Sequence, residues 1–198
     1  MPKASSDVLA TPLSMRHHAR PILQVTHRHR MKKQRLEHHY PFPRERLVGF
    51  LMSRAFHEAK YPAMGRDDAE VLSAQRSDDV FEAVVRYPAT ADGPLPAFIK
   101  KLIGERVSLT QTDRWDCRAL TGTINVTIKP GPGVRIDADV QLLDQGASTL
   151  LRMDWRVECR VPLIGGKVED FLVGDLISKA ATDERAAITA IRTALEIS

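Results

Sequence analysis

A histidine and a few polar residues that fall in phase with apolar neighbours are the groups in this chain best placed to do chemistry. In the stretch QRLEHHY at 34–40, the alternation that turns Leu36 and Tyr40 inward turns His38 inward with them. Gln111 and Asp113 share one face with Val107, Leu109 and Trp115, and Thr149 is in phase with Leu151 and Met153. A carboxylate or imidazole held among apolar side chains resists charging and can exchange a proton with a bound molecule. A buried His38–Asp113 pair would therefore point to an enzyme, and a dry, wholly apolar interior to a carrier. The competing reading of Asp113 is a structural pairing near the wet end of its strand, two residues from Trp115 and a turn.

No stronger catalytic signature accompanies these residues. HExxH, GxSxG and helically spaced carboxylate pairs are absent, and His57 and Glu58 are adjacent, a spacing that does not put them on one helix face. Gly165-Gly166 lacks the spacing of a nucleotide-binding loop and Gly131 and Gly133 flank a proline, so no cofactor is expected. The Gly165-Gly166 pair either exposes helix N-terminal amides to an anion or makes a tight strand-to-helix turn. His17, His18, His27 and His29 sit among arginines without a scaffold and read as solvated rather than as a metal site. Cys117 and Cys159 have no CxxC spacing; they fit reduced thiols of a cytoplasmic protein, with a disulfide between neighbouring strands as the alternative.

These groups must be positioned by regular elements, and the largest is at the end of the chain. From Gly165 to Ile197 some thirty residues run without proline, and Val168, Phe171, Leu172, Leu176, Ile177, Ala180, Ala187, Ile188, Ile191 and Leu195 recur at three- and four-residue steps. That is an amphipathic helix of roughly 45 Å, which needs a broad partner surface. Four alternating stretches supply it. Leu109, Trp115, Ile124, Val126, Ile136, Val140, Met153, Trp155 and Val157 fall on the apolar faces, with Thr, Asp, Arg and Gln opposite. Asp116-Cys117, Pro130 to Gly133 and Asp144 to Gly146 mark the turns of an antiparallel meander.

Upstream, residues 34–40 read as a strand, and Pro43 opens a short helix carrying Leu47, Val48, Phe50 and Leu51. A second helical piece runs from Arg54 to Lys60 and is expected to stop before Pro62. AEVLSAQ and VFEAVVRY form a hairpin about Arg76 to Asp79, with Phe81, Ala83, Val85 and Tyr87 on one face. AFIKKLIG makes a short strut or lid.

Of 29 basic and 25 acidic residues, seven basic ones and Asp7 alone fall within 1–33, so the excess positive charge belongs to that segment. The remainder is near neutral, which argues against nucleic acid as the domain's partner. Residues 1–33 are expected to form a disordered tail, or translation is expected to start at Met31 and remove the tail, leaving 34–198 as the folded domain. No apolar run is long enough to span a bilayer. Nothing in the sequence sets an oligomeric state.

The order strand, two short helices, antiparallel strands and long C-terminal helix, with LPAFIKKLIGERVSLTQTDRW at 95–115 and VPLIGGKVEDFL at 161–172, resembles the START-like (SRPBCC) helix-grip superfamily. More narrowly it resembles a bacterial branch known as a domain of unknown function. The resemblance implies an α+β fold in which a curved sheet of about seven strands grips the long helix. It also implies a cavity between them for a hydrophobic small-molecule ligand, lipid-like or polyketide-like. Members include carriers, cyclases and interaction modules, so carriage, cyclase-like catalysis and protein interaction all stay open. The expected cavity residues are His38, Tyr87, Phe98, Leu109, Gln111, Asp113, Trp115, Ile124, Met153, Trp155, Phe171, Leu172 and Leu176.

Overall fold

The alternating stretches form strands, and their register turns the expected faces inward. The computed structural model describes residues 31–88, 96–103, 107–131 and 133–195. The basic segment through Arg30, with its four histidines, lies outside these, as does the loop at 89–95. In chain order the elements are β1 (Lys32–Tyr40), α1 (Arg44–Leu51), α2 (Arg54–Ala63), β2 (Glu70–Ser77), β3 (Val80–Pro88), α3 (Ala97–Ile103), β4 (Ser108–Asp116), β5 (Thr121–Lys129), β6 (Val134–Asp144), β7 (Thr149–Cys159) and α4 (Gly165–Ala194).

One antiparallel sheet of seven strands results, in the order β1-β7-β6-β5-β4-β3-β2. The chain leaves β1, crosses through α1 and α2 to the opposite edge, and returns strand by strand until β7 pairs with β1. Charges on the outer face hold this register. Arg35 stands opposite Asp154, Glu37 opposite Arg152, Glu82 opposite Arg114 and Asp137 opposite Arg156, and each opposed pair is bonded. The exposed pairs among these contribute only about 0.2–1 kcal/mol each, whereas Asp137 is buried. A slip of one residue would lose them together and turn the apolar face to water.

Two expectations about the helices need correction. Helix α2 does not stop before Pro62 but carries it in its last turn, where the ring faces solvent and the missing N–H leaves only one carbonyl without its helical donor. Its first turn is held by Ser53, whose hydroxyl accepts from the Phe56 amide at 3.2 Å. Ile177 of α4 does not belong to the buried stripe; it is half exposed. Both cysteines are free, so the disulfide alternative is not realised.

Helix α4 lies on the inner face of the sheet, against α2, β1 and β7. Its two ends are packed differently from its middle. Ala186, Ala187, Ala190 and Ile191 are buried near the C-terminus, where small side chains let the helix approach closely, and Val168 and Glu169 are buried near the N-terminus. Between them Leu172, Leu176 and Asp183 are only partly covered. The interior is solid at the ends and hollow in the middle.

Candidate functional site

The hollow is a cavity of about 190 Å³ walled by the sheet, α2 and α4. The strands supply an apolar floor of Leu36, Leu109, Trp115, Ile124, Val126, Met153 and Trp155, and α4 supplies Leu172, Leu176 and Ala180 as its roof. Eleven of the thirteen expected residues line it: His38, Tyr87, Leu109, Gln111, Asp113, Trp115, Ile124, Met153, Trp155, Leu172 and Leu176. Phe98 and Phe171 do not. They pack instead around Ile99, Cys159 and Val168 in a separate cluster beneath α3, because α3 lies against the start of α4.

Polar groups gather along one wall. Tyr87 donates to Gln111 Oε1 at 3.4 Å, Gln111 Nε2 donates to Asp113 Oδ1 at 2.8 Å, and Asp113 Oδ2 lies 3.2 Å from His57 Nε2. The other imidazole nitrogen, Nδ1, lies 3.0 Å from the Ser53 carbonyl. A carbonyl oxygen only accepts, so Nδ1 carries a hydrogen. Nε2 then faces a carboxylate, and that bond requires one further proton on either His57 or Asp113. The His38–Asp113 pair that would have pointed to an enzyme does not form; Asp113 pairs with His57 instead. Burial pushes the Tyr87 phenol up, so it stays a donor at neutral pH.

His38 has a different neighbour. Its Nδ1 is 3.6 Å from Asp183 Oδ2, and Asp183 in turn binds Lys60 Nζ at 2.8 Å. Removal from water lowers the His38 pKa and outweighs the opposing pull of Asp183. Across the floor, Arg66 stacks on Tyr87 at 4.8 Å, and Tyr61 lies 5.3 Å from the same ring. Asp175 and Lys179, one turn apart on α4, are bonded at 2.6 Å on the cavity's edge.

Sequence reasoning missed His57, Tyr61, Lys60 and Asp183. His57 and Tyr61 are four residues apart and share the inner face of α2, a signal that pairing His57 with Glu58 overlooked. Asp175, Lys179 and Asp183 likewise form one row beside the row of Leu172, Leu176 and Ala180.

A more voluminous depression of about 640 Å³, bordered by Arg114, Thr121, Thr123, Asp139, Arg152 and Asp154, is an open groove. Its charges are already paired across strands, so we place the site in the cavity beneath α4 instead. Among the described residues no cluster of histidine, cysteine and acidic side chains is arranged to hold a metal ion. Among them, too, no helix is long and apolar enough to cross a membrane.

A curved antiparallel sheet closed by a long C-terminal helix over an internal cavity is the architecture of the START-like helix-grip proteins. Residues 35–191 match the model of the family described as "Protein of unknown function (DUF2505)", and the chain belongs to that family. No curated protein matches it in sequence. Among solved structures it is similar to TTHA0849 from Thermus thermophilus, with 19% identity and a TM-score of 0.56 over 82% of this chain and 99% of that one. The Zhui aromatase/cyclase from a Streptomyces species is similar at 14% identity and a TM-score of 0.58, over 83% and 96% of the two chains. Norcoclaurine synthase from Thalictrum flavum follows at 14% and 0.50, over 96% and 100%. Likenesses this distant establish the fold.

Proposed function

We propose that the protein binds a small, mainly apolar molecule, about the size of one substituted ring, between the sheet and α4. The observation that carries this reading is the cavity of about 190 Å³ between sheet and helix, apolar on its floor and roof and hydrogen-bonded along one wall. Size decides the ligand class. An apolar cavity of about 150 Å³ holds benzene, whereas drug-sized ligands occupy pockets of about 300–1,000 Å³. A sterol or a long acyl chain would need the grip to open. Calorimetric titration with 4-ethyltoluene tests the reading. Saturable binding with a negative heat-capacity change is expected, and Leu176→Trp, which fills the cavity, should abolish it without unfolding the domain. Absence of binding by the unaltered protein up to millimolar probe would refute the reading.

The His57–Asp113 pair favours one second reading, catalysis of proton transfer on the bound molecule. The pair would take a proton from the methyl group of a bound aryl ketone, leaving an enolate, and return a solvent proton to the same carbon. Deuterium uptake by 4-hydroxyacetophenone in D₂O, followed by NMR, checks this. Uptake should be faster with the protein than without it, and Asp113→Asn should remove the acceleration. Equal rates with and without protein would exclude the second reading and leave the first intact.

A further inference from the structure

Two polar groups in the cavity wall have no hydrogen-bond partner among the described residues. One is the His38 imidazole, 2% exposed, at both ring nitrogens; the other is the indole Nε1 of Trp155, 7% exposed. Both side chains line the cavity. Native interiors seldom leave a buried donor or acceptor unsatisfied, and two in one cavity mark places that a guest would complete.

The two groups ask for different things. An indole N–H can only donate. For His38 the carboxylate beside the ring is Asp183, its Oδ2 3.6 Å from Nδ1, which draws the ring hydrogen to Nδ1 and leaves a lone pair on Nε2. Burial keeps the ring neutral at neutral pH, so that lone pair is available. The charged groups around it are Asp183 and Glu184 from α4, Lys60 from α2 and His39 from its own strand; the two acids oppose the effect of burial, and Lys60 and His39 reinforce it.

We infer that the ligand carries a hydroxyl group donating to His38 Nε2 and a carbonyl-type oxygen accepting from Trp155 Nε1, as a hydroxylated aromatic ketone would. The inference rests on the ring-sized binding proposed above. Register supports the two-ended reading. His38 stands opposite Leu151 and Trp155 opposite Gln34, so the two residues occupy distinct positions on neighbouring strands, their backbones four residues apart, roughly 13 Å at about 3.3 Å per residue.

Three probes of nearly equal shape separate the contributions: 4-ethyltoluene, 4-ethylphenol and 4-hydroxyacetophenone. The unaltered protein should bind 4-ethylphenol several-fold to about tenfold more tightly than 4-ethyltoluene, and 4-hydroxyacetophenone more tightly again by a similar factor. His38→Leu should erase the first preference while still binding 4-ethyltoluene, and Trp155→Phe should erase only the second. His38→Phe is the substitute should the leucine variant fail to fold. Preferences that survive both substitutions, or equal binding of the three probes by the unaltered protein, would overturn the anchors while leaving the cavity reading standing. Binding of none of the three would remove both.

Discussion

His57 Nε2 lies 3.2 Å from Asp113 Oδ2, a contact that ties α2 to β4 across 56 residues of chain. It fixes one wall of the cavity, because Asp113 also accepts from Gln111 and His57 is held from behind by the Ser53 carbonyl. Removing the carboxylate would leave His57 Nε2 and Gln111 Nε2 without their partner in a buried setting. Asp113→Ala should therefore cost about 1–3 kcal/mol, measured as a drop in urea midpoint. Asp113→Asn keeps the shape and one acceptor and should cost less. Equal losses for the two variants would mean that the bonds to the carboxylate contribute little.

His38 should make the fold sensitive to mild acid. Its pKa in the folded protein lies below the ordinary 6.5, chiefly through burial. Above that value neither state is charged there, and His38 contributes no pH dependence. As pH falls through 6.5 the unfolded chain takes up the proton first, so stability declines until the lowered folded value is passed. Urea midpoints between about pH 7.5 and 5 should fall more steeply for the unaltered protein than for His38→Leu. Asp139 and Asp154, held below the usual carboxylate range by Arg156 and Arg35, act in a separate window, their stabilisation being lost only as pH falls below 3.8. Parallel pH profiles for the two proteins would count against a buried neutral His38.

Truncations on α4 should distinguish hollow from solid interior. Ile191 is fully buried in the core, and Ile191→Ala should cost about 2–5 kcal/mol. Leu176 already borders empty space, so Leu176→Ala should cost clearly less and should instead shift binding toward larger probes. A full core penalty at Leu176 would show that its side chain packs as tightly as Ile191.

Two glycines should respond in opposite directions to alanine. Gly122 stands opposite Trp115, and a β-carbon there would lie 2.2 Å from the Arg114 carbonyl oxygen, so the paired backbones would have to separate. Gly122→Ala should lose about 1–3 kcal/mol. Gly174 is exposed within α4 with open space around it, and Gly174→Ala should gain about 0.5–1 kcal/mol by restricting the unfolded chain. Thermal unfolding of the pair gives both signs in one measurement.

Much of this architecture could be read from residue order because the patterns that encode it are local. Alternation in β4 to β7 needs only neighbours two residues apart, and it turned Gln111, Asp113, Trp115, Ile124, Met153 and Trp155 to the correct face. The same rule placed His38 inside on β1. Three- and four-residue spacing likewise identified α4 and put Leu172 and Leu176 over the sheet.

What the tertiary structure decided is which of these residues meet. Strand alternation says that His38 and Asp113 both face inward, but not that α2 crosses the sheet where His57 reaches Asp113 first. Nor could it say that Asp183, 145 residues from His38, comes to lie beside it. Phe98 and Phe171 belong to the same apolar pattern as the cavity residues, yet the docking of α3 against the start of α4 assigns them to a solid cluster. Such pairings depend on how helices dock over a curved sheet, and that is settled by the packing of distant segments rather than by any periodicity within one. The sequence by itself determined the sheet, its inner face and the helix that covers it; only their packing made a cavity, and chose the residues that carry its polar wall.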